Sequence, residues 1–437
     1  MTKRDVLRAV KERAVRFVRL SFVDILGINK SVTVPVAEIE RALDGRVAFD
    51  GGSIDGFVRG EEADMMLVPD LSTFAILPWT TGGAVEARLI CDIATPDGEP
   101  FEGCPRTALR RALEEAGPLA TALRTGLEIE FYLFKAAPDG SPTTETADIG
   151  SYFDVIESDR GEDARTEIAA TLEAMGLSVA SAHHEHGAGQ HEIDLNDGPV
   201  MATADALVTA RIVAKHVAAR HGLHATFMPK PLETLAGSGV HVYLALDETL
   251  SAGEAGNAGE LAEETLFAIG GLLRHAPAFT AICNPTVNSY KRLVAAWDAP
   301  IYTAWSRRSA NALVRVPEPG PAQRIEVRSP DPSCNPYLAL GVLVASAVDG
   351  VRAHALPGDA LAGSTYDLNE RDRESRRIRT LPKSLRQALI ELDGDAVVRG
   401  ALGDHVYRAF RDAKSAEYER YRRAVHPWER DAYLRTY

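Results

Sequence analysis

Gly126-Leu-Glu-Ile-Glu-Phe-Tyr-Leu-Phe134 is the stretch on which the reading of this chain turns. Its β-branched and aromatic residues predict a strand, and side chains on a strand alternate between faces. Glu128 and Glu130 therefore point one way, while Leu127, Ile129 and Phe131 point the other. The apolar face must be covered by helices. The acidic face sets two like charges side by side, which is costly unless a cation joins them.

Three other segments repeat the pattern. His183-His-Glu-His-Gly-Ala-Gly-Gln-His-Glu-Ile-Asp-Leu195 supplies Glu185 and Glu192. Gly237-Ser-Gly-Val-His-Val-Tyr243 places His241 and Tyr243 on one face of a strand over 240–246. Arg324-Ile-Glu-Val-Arg328 places Arg324, Glu326 and Arg328 on one face, with Ile325 and Val327 behind. Several carboxylates and an imidazole beside arginines suit two hard divalent cations, Mg2+ or Mn2+, in phosphoryl transfer. The four histidines at 183, 184, 186 and 191 leave a zinc site as an alternative, which the glutamate content disfavours. No GxxxxGK[ST] loop is present, so any use of ATP must rest on another architecture.

Helical patterns over 105–115, 162–175, 203–221 and most of 383–425 alternate with short strands. Strands over 14–22, 30–34 and 88–94 and a short helix over 37–43 precede them. The order predicts an α+β fold with an antiparallel sheet carrying the site. Residues 1–100 are expected to form a small β-rich domain and 101–437 the catalytic domain. At 437 residues, two domains are the natural division. The formal charge of -14 argues against nucleic acid or an anionic membrane as partner. The four cysteines form no CxxC pair, and the N-terminal stretch lacks an apolar signal core, so a reducing cytoplasmic setting is expected. The longest apolar run, around 338–348, is too short to span a bilayer and predicts a buried helix.

In order, the motifs Phe49-Asp-Gly-x-Ser53, Glu128-x-Glu130, Tyr152-Phe153, Gly189-Gln-His-Glu192, Gly237-Ser-Gly-x-His241, Asn288-Ser-Tyr-Lys-Arg-Leu293 and Arg324-Ile-Glu-Val-Arg328 resemble type I glutamine synthetases over nearly the whole chain. The resemblance implies an N-terminal β-grasp domain, a C-terminal catalytic domain, and a homo-oligomer of twelve subunits in two hexameric rings. It implies ATP, glutamate and ammonia or a primary amine as substrates, joined through γ-glutamyl phosphate. Carried over by motif, Glu130, Glu185 and Glu192 would hold one metal, and Glu128, His241 and Glu326 the other. Arg292 and Arg328 would bind glutamate and the reacting phosphate, Gly237 would line the glutamate site, and Arg315 and Arg324 would serve ATP. Asp50, donated by a neighbouring subunit, would take the proton of the ammonium near Ser53 and Tyr152. Arg59 resembles a feedback arginine of the α subtype. Tyr366 lacks the proline-rich context of an adenylylated loop.

Four positions depart from the family pattern. Ala236 replaces an asparagine, Asp298 replaces the glutamate of the flap, and Ala310 replaces a phosphate-facing arginine that Arg307 or Arg308 would have to supply from a shifted loop. Tyr243 stands where a second histidine near the ATP phosphates is usual. All four surround substrates, and all six metal positions are intact. The pattern predicts retained phosphoryl chemistry with altered substrate recognition: a γ-glutamyl amide made from a small organic amine. Ordinary glutamine synthesis from ammonia is the alternative. A non-catalytic ring-forming relative and a guanidine kinase are weaker ones.

Overall fold

The computed structural model describes all residues except 55, 57–63, 156–158, 247–260 and 318–323. Arg59 lies outside the described residues. The α+β expectation holds. Two sheets, each with its own hydrophobic core, succeed one another along the chain.

The first sheet has the order Asn29–Pro35, Phe17–Val23, Ala84–Ala94, Asp64–Thr81, Val47–Asp50, with only the Phe17–Val23 and Ala84–Ala94 pair parallel. The mixed sheet is closed on one side by the helices Lys3–Glu12 and Ile39–Leu43, whose Val6, Val10, Ile39, Ala42 and Leu43 join its core. Lys3–Glu12 is capped by a Thr2–Asp5 capping box. Strand Asp64–Thr81 bends at two register shifts, which break its alternation and hide it from period-2 reading.

The second sheet runs Trp305–Ser306, Val314–Arg315, Arg324–Val327, Val240–Leu246, Leu123–Ala136, Gln190–Pro199, Val179–His184. Leu223–Thr226 and Pro142–Thr146 also pair with the central strand. It is antiparallel but for the short Trp305–Ser306 and Val314–Arg315 pair. The central Leu123–Ala136 strand buries Leu127, Ile129, Phe131 and Leu133 against the helices and turns its acidic face to the site. Helix Pro336–Arg352 fulfils the expectation for 338–348. Helix Glu263–Cys283 is long and apolar enough to cross a membrane, but 78% of its most apolar window is buried in this fold. All four cysteines are free and buried. The charged run at 417–423 is partly a tether. Glu417 accepts from the Val287 amide at 3.1 Å and from Lys414 at 2.8 Å.

The two parts are joined by buried polar contacts. Arg106, 3% exposed, binds Asp70 and Asp92 of the first sheet and Asp205 of helix Val200–Arg220. Asn335 caps helix Pro336–Arg352 with its Oδ1, while its Nδ2 donates to the Asp24 carbonyl at 2.9 Å.

A second buried cluster ties the helices together. His275 bridges Asp395 at 2.7 Å and Asp349 at 3.0 Å. Burial opposes its protonation, but hydrogen bonds to the two aspartates prevail and raise its pKa above the usual 6.5. A raised folded-state pKa contributes stability that is complete below the unfolded value and is lost as pH rises through the folded one. His275→Ala is therefore expected to cost about 2 kcal/mol or more near pH 6 and clearly less at pH 9. Melting curves of both proteins across that range would show it. An equal cost at both pH values would count against a charged His275.

Candidate active site

The second sheet and the loops that flank it bring most of the sequence-predicted residues to one cavity of about 510 Å3. Glu128, Glu130, Tyr152, Glu185, Glu192, Gly237, His241, Arg292, Asp298, Arg315 and Arg328 all line it. Register explains the convergence: His241 sits opposite Glu128, and Glu130 opposite Glu192.

Directly behind this lining, Tyr243 donates its hydroxyl to Glu128, and Glu326 accepts from both Arg315 and Arg328. Arg324 stacks on the Tyr243 ring, 3.5 Å from its centroid, and pairs with Asp197 at 2.7 Å. Asp50 and Ser53 do not line the cavity of their own chain. Asp50 is exposed and caps its own loop, accepting from the Gly52 amide at 2.8 Å. Arg308 lines a neighbouring cavity rather than this one, and Arg307 lines neither.

Ligand atoms of Glu128, His241 and Glu326 lie within 4.8 Å of one another. The other expected trio is drawn together through Glu192, which groups with Glu130 and His241 on one side and with His183 and Glu185 on the other. Electrostatics separates these carboxylates. Burial would raise Glu128, but hydrogen bonds from His241 and Tyr243 hold it down to about 2. Burial and then the Glu130 charge push Glu185 up to about 8, and burial with Glu130 and Glu128 lifts Glu192 well above the carboxylate range. Oxygen-rich donors that repel one another in this way fit a hard divalent cation, whose charge would remove the repulsion. The four histidines do not gather at one point. His183 Nε2 meets Glu192 at 3.1 Å, His186 stacks on Tyr152, and His184 and His191 are buried behind the loop beside Asp148.

Sequence reading missed several lining residues. Gln190 is fully buried and donates to Glu130 Oε2 at 3.1 Å and to the Gly237 carbonyl at 3.1 Å. Asp194 groups with Glu128 and Glu192. Both lie on the face of strand Gln190–Pro199 that Glu192 occupies, so the alternation that picks out Glu192 also points to them. The Gly239 amide donates to Glu130 Oε2 at 2.9 Å, a backbone contact with no side-chain signal. Trp297, at φ 55°, and Asp298, at φ 54°, form a left-handed pair at the tip of the flap. Such strain in consecutive non-glycine residues belongs to functional loops. Tyr366 turns its hydroxyl inward to the Ala299 carbonyl at 2.7 Å.

The comparisons with known proteins agree in detail. Residues 14–96 match the family model for the glutamine synthetase beta-Grasp domain and residues 102–433 that for the glutamine synthetase catalytic domain. Glutamine synthetase of Thermus thermophilus is 47% identical over 444 residues, covering 100% of this chain and 99% of that protein. The enzyme of Methanosarcina mazei is 44% identical over 436 residues, covering 99% and 98%. A solved structure described as a GmaS/ADP complex superposes with a TM-score of 0.87 at 31% identity, covering 99% of each chain. Glutamine synthetase of Plasmodium falciparum, at 22% identity, shares the fold with a TM-score of 0.86, covering 99% of each chain. Two family domains matched in order and relatives aligned end to end account for the shared sheet and its cavity: the chain belongs to the glutamine synthetase family of carbon–nitrogen ligases.

Proposed function

We propose that the protein joins an amine to the γ-carboxylate of glutamate with hydrolysis of ATP to ADP and phosphate, and that it accepts a small organic amine. The observation that carries the acceptor is at Ala310. A second cavity of about 530 Å3, lined by Arg308, Ser309, Asn311, Ser364 and Tyr366, shares Trp297, Asp298 and Ala310 with the main one. Ala310 presents only a methyl group to the boundary between the two, where an arginine would take up space in both. High identity to named glutamine synthetases over the full length favours the second reading, ammonia as acceptor.

Glu130, Glu185 and Glu192 would hold one divalent cation, and Glu128, His241 and Glu326 the other. Such Mg2+ or Mn2+ ions, when bound, neutralise charge on a transferring phosphoryl group. Arg292 donates Nη1 and Nη2 to the carbonyls of Ser329 and Arg328, which fixes its guanidinium toward the cavity to receive glutamate. Arg328 and Arg315, aligned by Glu326, face the phosphates. The γ-carboxylate oxygen attacks the γ-phosphorus, ADP departs, and γ-glutamyl phosphate results. The amine nitrogen then attacks the acyl carbon and phosphate leaves. The arriving ammonium has no lone pair, so a carboxylate must first take its proton. Asp50 of a neighbouring subunit and Asp298 of the flap are assigned that role, in a ring of twelve subunits. Domains meeting near residue 100, a cytoplasmic location and a feedback role for Arg59 belong to the same reading.

The test is phosphate release with ATP, Mg2+ and glutamate, comparing ammonium with a panel of primary amines and identifying the product by mass spectrometry. Fastest turnover with an organic amine is expected. Fastest turnover with ammonium at modest concentration establishes the second reading, and no turnover with any amine overturns both.

Arg324 provides a narrower test of the ATP assignment. A Cβ at Gly126 would lie 2.2 Å from Asp197 Oδ1 and 2.7 Å from Arg324 Nη2. Gly126→Ala is expected to displace this pair and raise KM for ATP about 10-fold, roughly the value of one charged hydrogen bond, with KM for glutamate unchanged. An unchanged KM for ATP removes Arg324 from that role.

A further inference from the structure

Behind Glu185 and Glu192 lies a buried polar shell that the proposed reaction does not use. The side chains of Asp148, His184 and His191 have no solvent exposure. Asp148 Oδ1 accepts three hydrogen bonds: from His184 Nε2 at 2.9 Å, from the Gly189 amide at 2.8 Å and from the Gly150 amide at 3.0 Å. His184 Nδ1 in turn donates to the Glu185 carbonyl at 2.7 Å.

These contacts have a common geometry. Strands Val179–His184 and Gln190–Pro199 are joined by the short loop that carries Glu185, and Glu192 stands just beyond it. His184 and Gly189 are the two feet of that loop, so one carboxylate oxygen ties both. The Gly150 contact adds a third tie, to the segment that presents Tyr152 and Phe153. Those rings pack in turn on His183 and His186.

The other oxygen faces His191. Arg165 Nη1 is 2.7 Å from His191 Nδ1 and is itself held by Asp159 at 3.1 Å. A guanidinium can only donate, so Nδ1 keeps its lone pair and Nε2 carries the proton. That Nε2–H faces Asp148 Oδ2 at 3.9 Å, longer than a hydrogen bond, and neither atom has a hydrogen-bond partner among the described residues. The lone pair needed to ligate a metal is absent from Nε2, so the trio reads as a scaffold rather than a third cation site. The fit is close. A Cβ at Gly150 would lie 2.7 Å from His184 Nε2, and one at Gly161 2.3 Å from His191 Nε2.

We propose that Asp148 is a positioning residue for the cation-binding carboxylates, fixing Glu185 through His184 and the loop ends and backing Glu192 through His191. The proposal rests on the reading that Glu185 and Glu192 ligate a divalent cation. Outer-shell partners of this kind are worth about 10- to 100-fold in metal affinity. In Asp148→Asn, an amide group would point its N–H at His191 Nε2–H, donor against donor. In His184→Asn, the imidazole bridge to the Glu185 carbonyl is lost while the Asp148 contacts to Gly150 and Gly189 remain.

The experiment titrates the metal-free full-length protein with Mn2+, following the free-ion signal by electron paramagnetic resonance, alongside melting curves. Both variants are expected to bind Mn2+ about 10- to 100-fold more weakly than the parent. A purely structural role would lower the melting temperature and leave Mn2+ affinity unmoved, and that result overturns the proposal. If Asp148→Asn does not fold, His184→Asn decides by the same criterion. If the parent itself binds no Mn2+, the ligand reading of Glu185 and Glu192 fails first, an outcome distinct from parent and variants binding alike.

Discussion

Replacing Glu326 with glutamine is expected to lower kcat/KM for amide formation about a thousand-fold, the scale set by losing a direct cation ligand and the arginine alignment together. The side chain is fully buried; its Oε1 lies 3.6 Å from His241 Nδ1 and also accepts from Arg328, while Oε2 accepts from Arg315. Glutamine keeps the shape but removes the charge. It also turns one acceptor into an N–H donor aimed at a guanidinium. Two half-buried arginines then lose their counter-charge, and breaking a fully buried pair costs about 3–5 kcal/mol, an upper bound for this cluster. The variant must therefore be checked by melting before its rate is read. Folded protein retaining more than a tenth of parental kcat/KM would show that Glu326 has no part in the phosphoryl step.

Ala310→Arg is expected to act on choice rather than on chemistry. An arginine at 310 would extend into the space that both cavities border, beside Trp297 and Asp298. Filling a pocket by more than one methylene discriminates by about 10- to 200-fold. Turnover with the best organic amine should fall by about 100-fold, while turnover with ammonium holds or rises, since ammonium needs none of the second cavity. The ratio of the two kcat/KM values is the quantity to measure, because it cancels any general loss of activity. A parent enzyme that already prefers ammonium, with a ratio untouched by the substitution, would make Ala310 tolerated variation within a glutamine synthetase.

The sequence was most informative where one physical rule dominated. Across Leu127–Phe131, between the register shifts near the two ends of strand Leu123–Ala136, apolar and acidic residues alternate strictly, so the two faces can be assigned from the residues alone. The segments of Glu192 and His241 pair directly with this strand, and that of Glu326 pairs with the His241 strand. Asp64–Thr81 escaped because its two register shifts spoil the alternation. Glu263–Cys283 escaped because it is apolar on nearly every side and carries Pro277 in its interior. In the site, the ionisable residues were legible and their supports were not. Gln190 sits two residues before Glu192 on the same strand face, yet a neutral amide carries no signal of chemistry until its contact with Glu130 is seen. Asp148 is remote in sequence from the loop it ties, and only the fold brings the two together.

Asn335 also decides where foreign sequence can be inserted. Its Nδ2 is within hydrogen-bond reach of the carbonyls of both Asp24 and Ile25, and a Cβ on Gly27 would come within 3.1 Å of its Cα. The hairpin turn at 24–28 has no spare room, although its residues look like an ordinary surface connection. The turn at 137–141 is different: Gly140 has open space around it, and the Asp139 carboxylate accepts from Ser141, two residues on within the same turn. An affinity tag or a fluorescent reporter belongs at 139–140, where it extends into solvent, and would break the junction between the domains if placed at 26–27.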